Sequence, residues 1–354
     1  MHPTPPVAMN APTLRSALAR RLHGRTVASG SIVLPAVPGM IDDYVAMCVR
    51  AFSAIGVAFN DDQLDQLRDV LAGQIAIAFA ASPRSEIVIT YDSPIGMTVN
   101  YHVKAKWSSL EAAYDHWLES REPPLFGSEP DARVWALATA ASDPTRFPIL
   151  DIGAGTGRNS LALARRGHPV DAIEQAPQFA ATIRQQAELE ALPVRVIQRD
   201  VFSISSDLRR DYRLIVLSEV ATDFRSIDQL RAVFDLAGQC LGPGGRLVLN
   251  IFLARSGYEP DAAARELGQQ CYTAIFSRAE ITAAAAGSPL ELESDESVYD
   301  YEKANLPAGA WPPTSWYQDW ILGRDVYDLP AEHVPIDMRW LVYRRHDQQG
   351  GPYG

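Results

Sequence analysis

The 354-residue chain has few cysteines and no long apolar run. Its three cysteines, Cys48, Cys240 and Cys271, include no CxxC pair, so neither a disulfide framework nor a zinc site is predicted. No apolar run approaches the roughly 20 residues that a membrane-spanning helix needs. We therefore expect a cytoplasmic protein with no membrane partner and no bound metal.

Basic charge is also scarce. The chain carries 43 acidic residues against 32 Lys and Arg, a formal net charge of -11 at pH 7, which argues against a standing nucleic-acid partner. Residues 1–40 are the exception, because they contain arginines but no acid. For residues 1–37 we predict a disordered basic tail, with an organelle-targeting segment as the alternative.

Helical and then alternating patterns fill residues 38–130. An apolar stripe at helical spacing predicts a helix that begins at Asn60, and residues 41–55 can form its partner. Residues 85–92 and 98–107 alternate between apolar and polar side chains, which predicts a β-hairpin. Ser108 and Glu111 have the spacing of a capping box. These residues together predict an N-terminal lobe over residues 38–130.

The stretch from Pro148 to Gln175 carries the main functional signal. A short apolar run is followed by Gly153, Gly155 and Gly157, a helix-like segment, and a second apolar run that ends at Glu174. This order is typical of the opening of a nucleotide-binding βαβ unit. The GxGxG spacing differs from the GxGxxG of dinucleotide sites, and the carboxylate of Asp151 suits a cationic ligand better than a pyrophosphate. An NAD-dependent oxidoreductase is therefore disfavoured.

Asp151 to Gly157, DIGAGTG, resembles motif I of class I S-adenosylmethionine (SAM) methyltransferases, (D/E)xGxGxG. The later strand-like segments at 194–200, 212–219, 246–252, 290–301 and 337–345 are similar in order to the seven strands of that family. The resemblance implies an α/β fold with a Rossmann-like, doubly wound sheet whose last strand is antiparallel. The resemblance covers residues 131–346, and within that range it implies that an insertion at 303–336 forms a substrate lid. Residues 347–354 are expected to be a frayed tail. Residues 157–172 are also similar to small-molecule methyltransferases of the tellurite-resistance type.

SAM is the cofactor that this resemblance implies. The glycines would let the backbone approach the methionyl part, Glu174 would hold the ribose diol, and Asp200 would accept from the adenine amino group. A cap after the third strand is the alternative for Asp200. The implied cofactor-binding set is Asp151, Gly153, Ala154, Gly155, Gly157, Glu174, Gln175, Asp200, Val201 and Ser218.

Candidates for catalysis and substrate binding rest on residue type and position. His102 on the hairpin is the candidate general base, His116 is a second, and Glu219 stands at the tip of the fourth strand, where the family contacts cofactor and substrate. The aromatic candidates could line a pocket for an apolar or cationic substrate or could pack one lobe against another. The substrate-binding candidates are Tyr91, Tyr101, Trp316 and Tyr317.

We expect a SAM-dependent methyltransferase that acts on a small molecule, with the acceptor atom (O, N, S or C) open. One rival is a protein or RNA methyltransferase, although the fourth strand does not end in the (N/D)PPY motif of many such enzymes. Another rival is a non-catalytic SAM-binding partner subunit. A homodimer is compatible with the sequence but not demanded by it.

Overall fold

The computed structural model describes residues 10–94, 98–107, 124–204 and 207–346. The chain divides into two compact units, Met1–Leu110 and Glu111–Gly354, whereas the sequence places the division after residue 130. The capping box predicted at Ser108, the candidate base His116 and the tail predicted at 347–354 lie outside the described residues.

Over its described residues, the first unit contains three α-helices and a small antiparallel sheet. The helices are α1 (Ala11–His23), α2 (Ile41–Ala54) and α3 (Asp61–Ala81), and the strands are β1 (Ala28–Pro35), β2 (Glu86–Ser93) and β3 (Asn100–Lys106), in the order β1-β2-β3. The predicted hairpin is confirmed as β2 and β3. The helix start is confirmed as well, since Asn60 and Gln63 cap α3 reciprocally.

The prediction of a disordered tail is wrong for residues 11–23 and 28–35. The first range forms α1, and the second forms β1, which pairs with β2 along its whole length. Leu34 is buried, so β1 contributes apolar surface as well as backbone hydrogen bonds. The acid-free composition concealed this β-branched strand, because charge balance does not report on strand pairing.

The second unit is built on an eight-stranded sheet, counted over the described residues. Its strands are β4 (Ile149–Ile152), β5 (Val170–Ile173), β6 (Val194–Ile197), β7 (Tyr212–Leu217), β8 (Leu241–Ala254), β9 (Ile275–Phe276), β10 (Leu290–Ser297) and β11 (Ile336–Arg345). Seven of them follow the order β10-β11-β8-β7-β4-β5-β6, and the short β9, which the sequence did not predict, pairs with β8. The doubly wound α/β fold is confirmed, and β11 runs antiparallel to β8 as expected of the last strand.

Helices cover both faces of this sheet. They are α4 (Ala132–Thr139), α5 (Arg158–Arg165), α6 (Pro177–Leu189), α7 (Ile227–Cys240), α8 (Ala262–Gln270), α9 (Arg278–Ala285), α10 (Val298–Asn305) and α11 (Tyr317–Ile321). Alternate strand residues enter opposite cores: Ile149 and Leu214 belong to one buried cluster, and Leu150 and Ile215 belong to the other. Both faces are therefore apolar, as a mostly parallel sheet requires.

The predicted strand bounds differ most from the structure in β6, β8 and β10. β6 ends at Ile197 rather than at Asp200, and β8 begins at Leu241 rather than at Arg246, so the glycines at 242–245 belong to the strand. β10 ends at Ser297, whose hydroxyl accepts a hydrogen bond from the Asp300 backbone N–H. That cap starts α10, so residues 298–301 are helical and the predicted insertion begins inside a helix.

Candidate functional site

The glycine turn lies at the carboxyl edge of the sheet, between β4 and α5. Gly153, Gly155 and Gly157 have φ values of +70°, +55° and +88°, a region that side chains with a Cβ rarely adopt. A Cβ on Gly153 would overlap the side chain of Val220, which follows β7. The turn therefore requires glycine for its conformation and for its close contact with the β7 loop.

Asp151 is buried beneath this turn. Its carboxylate accepts a 2.6 Å hydrogen bond from the Ser160 hydroxyl on α5. Burial raises the pKa of Asp151 to about 7, the Ser160 hydrogen bond opposes the rise, and the charge of Asp131 adds to it. The carboxylate thus fixes α5 to the end of β4.

Glu174 connects the end of β5 to the glycine turn. One carboxylate oxygen accepts from the Gly155 N–H at 2.8 Å, and the other accepts from the Ala176 N–H at 2.7 Å. Burial raises the pKa of Glu174, while these backbone donors oppose the rise. Each carboxylate oxygen has a further lone pair, so the side chain can still accept hydrogen bonds from a ligand diol.

Asp200, Val201 and Gln175 lie near the ends of β6 and β5. The carboxylate of Asp200 accepts from the Phe202 N–H at 3.0 Å and caps a single 3₁₀ turn, Val201–Ser203. This contact is the cap that the sequence offered as the alternative for Asp200. Val201 is buried and Gln175 is exposed, and a cofactor role for these three residues stays a prediction.

Arg158, which the sequence analysis missed, joins three segments around the turn. It is the first residue of α5, and its guanidinium contacts the Asp131 carboxylate at 2.7 Å and the Glu219 carboxylate at 3.0 Å. It also donates to the Glu129 carbonyl at 3.3 Å. Its position directly after the third glycine was the available signal, since a cation there lies at the edge where the strands end.

Glu219 has an unusual backbone for a residue that is not glycine, with φ +60°. Its N–H donates to the Asn250 side-chain oxygen on β8 at 2.6 Å, and its carbonyl accepts from the Thr222 hydroxyl at 3.0 Å. Burial raises the pKa of Glu219 to about 7; Arg158 opposes the rise and Asp131 adds to it. A carboxyl group with this proton affinity can exchange a proton near neutral pH.

Asp131, also missed, links the start of α4 to the tip of β7. Its carboxylate accepts from the Ser218 hydroxyl at 2.7 Å and from the Asn159 amide at 2.8 Å. Ala132, the residue after Asp131, donates its backbone N–H to the carboxylate of Glu302 on α10 at 2.8 Å. The predicted site residues Ser218 and Glu219 are thus part of one buried polar network.

The insertion between β10 and β11 brings aromatic side chains to this network. Tyr317 is 2% exposed and meets Trp311 and Trp316 edge-on, with ring centroids 6.0 Å and 6.1 Å away. Burial raises the pKa of Tyr317 well above its usual value, and the charges of Glu219 and Asp131 raise it further. Tyr317 therefore lies beside the carboxylates at the tip of β7, while Trp316 is half-buried.

A second aromatic, Phe126, lies at the glycine turn and was also missed. Its ring would contact a Cβ on Gly155, at 3.6 Å, and meets Phe179 of α6 edge-on at 5.8 Å. The segment 124–131 thus crosses the turn between α6 and α5 within the second unit. No periodic pattern marks this segment in the sequence, because it has no regular secondary structure.

The candidates on the hairpin belong to the first unit. Tyr91 and Tyr101 pack against Phe52 of α2, with ring centroids 5.3 Å and 6.1 Å away. His102 is exposed and, because side chains alternate along a strand, points to the opposite face of the sheet from Tyr101. Both tyrosines therefore contribute to packing within the first unit. A substrate-binding role for Tyr91 and Tyr101 and a general-base role for His102 stay predictions.

Metal-binding and membrane features were sought over the described residues. There, no group of three His, Cys, Asp or Glu side chains is arranged to hold a metal ion. None of the helices that the structure describes has the length and apolar character to span a membrane.

Comparisons with known proteins agree with this geometry. Residues 149–245 match the family model described as a methyltransferase domain. The chain is 32% identical over 142 residues to an uncharacterised methyltransferase of Mycobacterium tuberculosis (strain H37Rv), covering 40% of this chain and 51% of that relative. It is 24% identical over 213 residues to a ubiquinone biosynthesis O-methyltransferase of Xanthomonas axonopodis pv. citri, covering 57% of this chain and 86% of the relative. The match spans about half the length of the mycobacterial relative.

Solved structures include more distant likenesses. A geranyl diphosphate C-methyltransferase from Streptomyces coelicolor has a TM-score of 0.47 and 14% identity, covering 60% of this chain and 75% of that one. A putative sarcosine dimethylglycine methyltransferase from Galdieria sulphuraria has a TM-score of 0.47 and 16% identity, covering 67% and 98%. Likenesses this weak say nothing about the substrate of this chain.

The motif, the strand order and the domain match lead to the same family. Asp151, the three glycines and Glu174 stand at the strand ends where the resemblance expects them, and residues 149–245 match the methyltransferase domain. Residues 149–245 form a methyltransferase domain of the class I S-adenosylmethionine-dependent type, for which SAM is the cofactor.

Proposed function

We propose that the protein transfers a methyl group from SAM to a small-molecule acceptor. The observation that carries this proposal is the burial of Tyr317, from the aromatic insertion, beside Glu219 at the tip of β7. Aromatic walls with a few convergent polar groups are typical of small-ligand sites. One relative is, by its name, an O-methyltransferase of ubiquinone biosynthesis, which is compatible with this proposal.

The residues present fit SAM. Three glycines with positive φ form the tight turn along which the methionyl part would lie. Glu174 is held by two backbone donors and keeps acceptor capacity for the ribose hydroxyls. When bound, SAM supplies an activated methyl group on a sulfonium.

Positioning and proton removal are what the chain itself would contribute. In-line methyl transfer depends on holding the acceptor atom behind the methyl carbon. If that atom carries a proton, Glu219 is the better-placed acceptor within the second unit, because burial raises its pKa to about 7. Removal of that proton would leave the methylated product neutral at the acceptor atom. His102, in the first unit, is the second candidate for the same step.

The rival reading as a protein or RNA methyltransferase finds less support. β7 ends in Leu217 and continues as Ser218-Glu219-Val220, with no (N/D)PPY motif. A net charge of -11 also disfavours an RNA substrate.

A screen with labelled SAM tests the proposal. The full-length protein is incubated with SAM carrying a labelled methyl group and a cell extract that contains metabolites and macromolecules. We expect the label in a small molecule; label only in protein or RNA would support the rival, and SAM binding without any transfer would support a non-catalytic subunit. Glu219→Gln, assayed on the identified product, should lower kcat by about 100-fold or more if Glu219 takes the proton.

A further inference from the structure

The first helix, α1, carries an apolar stripe that nothing in the described part of the chain covers. Leu14, Leu18 and Leu22 are 45%, 70% and 67% exposed, and no residue of α1 is buried. At about 100° per residue, these leucines fall within one arc of about 80°. Single exposed leucines are ordinary, whereas a row of them on one side of a helix is typical of an interaction surface.

α1 meets the rest of the first unit on a different side. The side chain of His23 contacts Gly56, between α2 and α3, where an added Cβ would come within 2.6 Å of the His23 Cβ. His23 lies about 140° around the helix from the middle of the leucine stripe. The stripe is therefore on the side of α1 that faces away from this contact.

Arginines border the leucine stripe along both of its edges. Arg15 lies about 20° beyond one edge and Arg21 lies about 20° beyond the other. Arg20 and Arg25 add positive charge near the C-terminal end of the helix. Because residues 1–40 contain no acid, no carboxylate in this part of the sequence offsets these charges. The exposed side of α1 is thus apolar along its middle and positively charged along both edges.

A second copy of α1 fits this pattern poorly. Two such helices packed along their leucines would bring the flanking arginines of one copy close to those of the other. Neither helix contains an acid that could pair with them. Like charges beside a helix seam oppose pairing, whereas stable helix pairs place opposite charges there.

A bilayer surface that contains acidic lipids fits the pattern better. Leucines can enter the boundary between headgroups and acyl chains while arginines on both edges extend to the headgroup phosphates. Residues 11–22 are all exposed, so α1 can lie flat on such a surface. The net charge of -11 does not prevent this contact, because exposed charges more than about 8 Å away are largely screened at physiological ionic strength.

We propose that α1 is a membrane-surface helix, which binds bilayers containing acidic lipids through Leu14, Leu18 and Leu22 and through the arginines beside them. The helix lies along the bilayer and does not cross it. The proposal revises the expectation of no membrane partner, which rested on the lack of a spanning segment. It concerns the first unit alone and does not depend on the cofactor or on the methyl acceptor.

Sedimentation of the full-length protein with lipid vesicles tests the proposal. Vesicles of phosphatidylcholine alone are compared with vesicles in which half of the lipid is phosphatidylglycerol. The parent should bind the acidic vesicles at least about tenfold more tightly, and raising the salt concentration to about 0.5 M should weaken that binding.

Two double variants separate the apolar and the charged contributions. Leu14→Ala with Leu18→Ala keeps good helix formers and should weaken binding to the acidic vesicles at least about tenfold. Arg15→Gln with Arg21→Gln keeps the leucines and should weaken it about 30-fold, or about fivefold for each arginine. Both should melt at the parent's temperature, because α1 has no buried residue. The control is Leu189→Ala, at a leucine 73% exposed on α6, which should not change vesicle binding.

A parent that binds neither kind of vesicle, or binds both equally, overturns the proposal. Folded α1 variants that bind acidic vesicles as tightly as the parent overturn it as well. A dimer in light scattering that the leucine variant dissociates, without vesicle binding, would assign the stripe to a second copy of the chain instead. Capture of an acidic protein without vesicle binding would likewise refute the membrane assignment.

Discussion

Replacing Glu174 with alanine should weaken SAM binding and destabilise the second unit by separate, calculable amounts. The carboxylate accepts from two backbone donors, the N–H groups of Gly155 at 2.8 Å and Ala176 at 2.7 Å. Hydrogen bonds to charged groups contribute about 1.5–3 kcal/mol each, but removing the buried charge recovers part of that sum. We therefore expect a net loss of about 1–3 kcal/mol in the free energy of unfolding.

Glu174→Ala should also weaken SAM binding, and this loss of affinity is measured separately from the loss of stability. If the ribose hydroxyls use the remaining lone pairs of Glu174, their loss costs about 1–3 kcal/mol, which is about 5- to 150-fold in Kd. Calorimetry measures the affinity, and urea unfolding without ligand measures the stability. Glu190→Ala on the surface serves as the control. A folded Glu174→Ala protein that binds SAM within about twofold of the parent would refute the ribose assignment.

Three further changes probe the turn, a buried carboxylate and the aromatic insertion. Gly153→Ala places a Cβ at a φ of +70° and against the Val220 side chain, so it should lower the free energy of unfolding, measured with urea, by about 2–4 kcal/mol. The control is Gly73→Ala, which lies in an open helical position and should stabilise the protein slightly. Equal effects of the two substitutions would contradict the close contact at Gly153. Burial raises the pKa of Asp151 to about 7, so the folded protein holds this proton more tightly than the unfolded chain, and the resulting stability is lost as pH rises from about 4 to 7. Asp151→Asn should therefore lose less stability than the parent between about pH 4 and pH 7, and an unchanged pH dependence would exclude this carboxyl as a source of the loss. Trp320→Ala removes a buried ring from Phe252 and should cost about 3–5 kcal/mol, while Trp107→Ala, at a side chain 59% exposed, should change thermal stability little.

The sequence predicts the central fold well because the signals there are local. Each signal in this stretch depends only on residues close to it in the chain: Asp151, the three glycines and the apolar run that ends at Glu174. The structure forms β4, the turn, α5 and β5 as expected. The start of α3 was equally readable, because Asn60 and Gln63 cap it within three residues of each other.

What the sequence did not reveal depends on contacts between distant residues. Arg158 and Asp131 look like ordinary helix-start residues, and only folding brings both to Glu219. The φ of +60° at Glu219 has no composition signal either, and the Asn250 side chain that accepts from its N–H lies on the neighbouring strand. Likewise, β1 was hidden in a segment whose most visible property was its lack of acids.

The central claim is that SAM binds at the glycine turn after β4 with its ribose on Glu174. A crystal structure of the full-length protein with S-adenosylhomocysteine tests this claim most directly. The account predicts ligand density along Gly153 to Gly157, with both ribose hydroxyls within about 3.2 Å of the Glu174 carboxylate. Ligand bound elsewhere on the protein, or a ribose that does not reach Glu174, would contradict it.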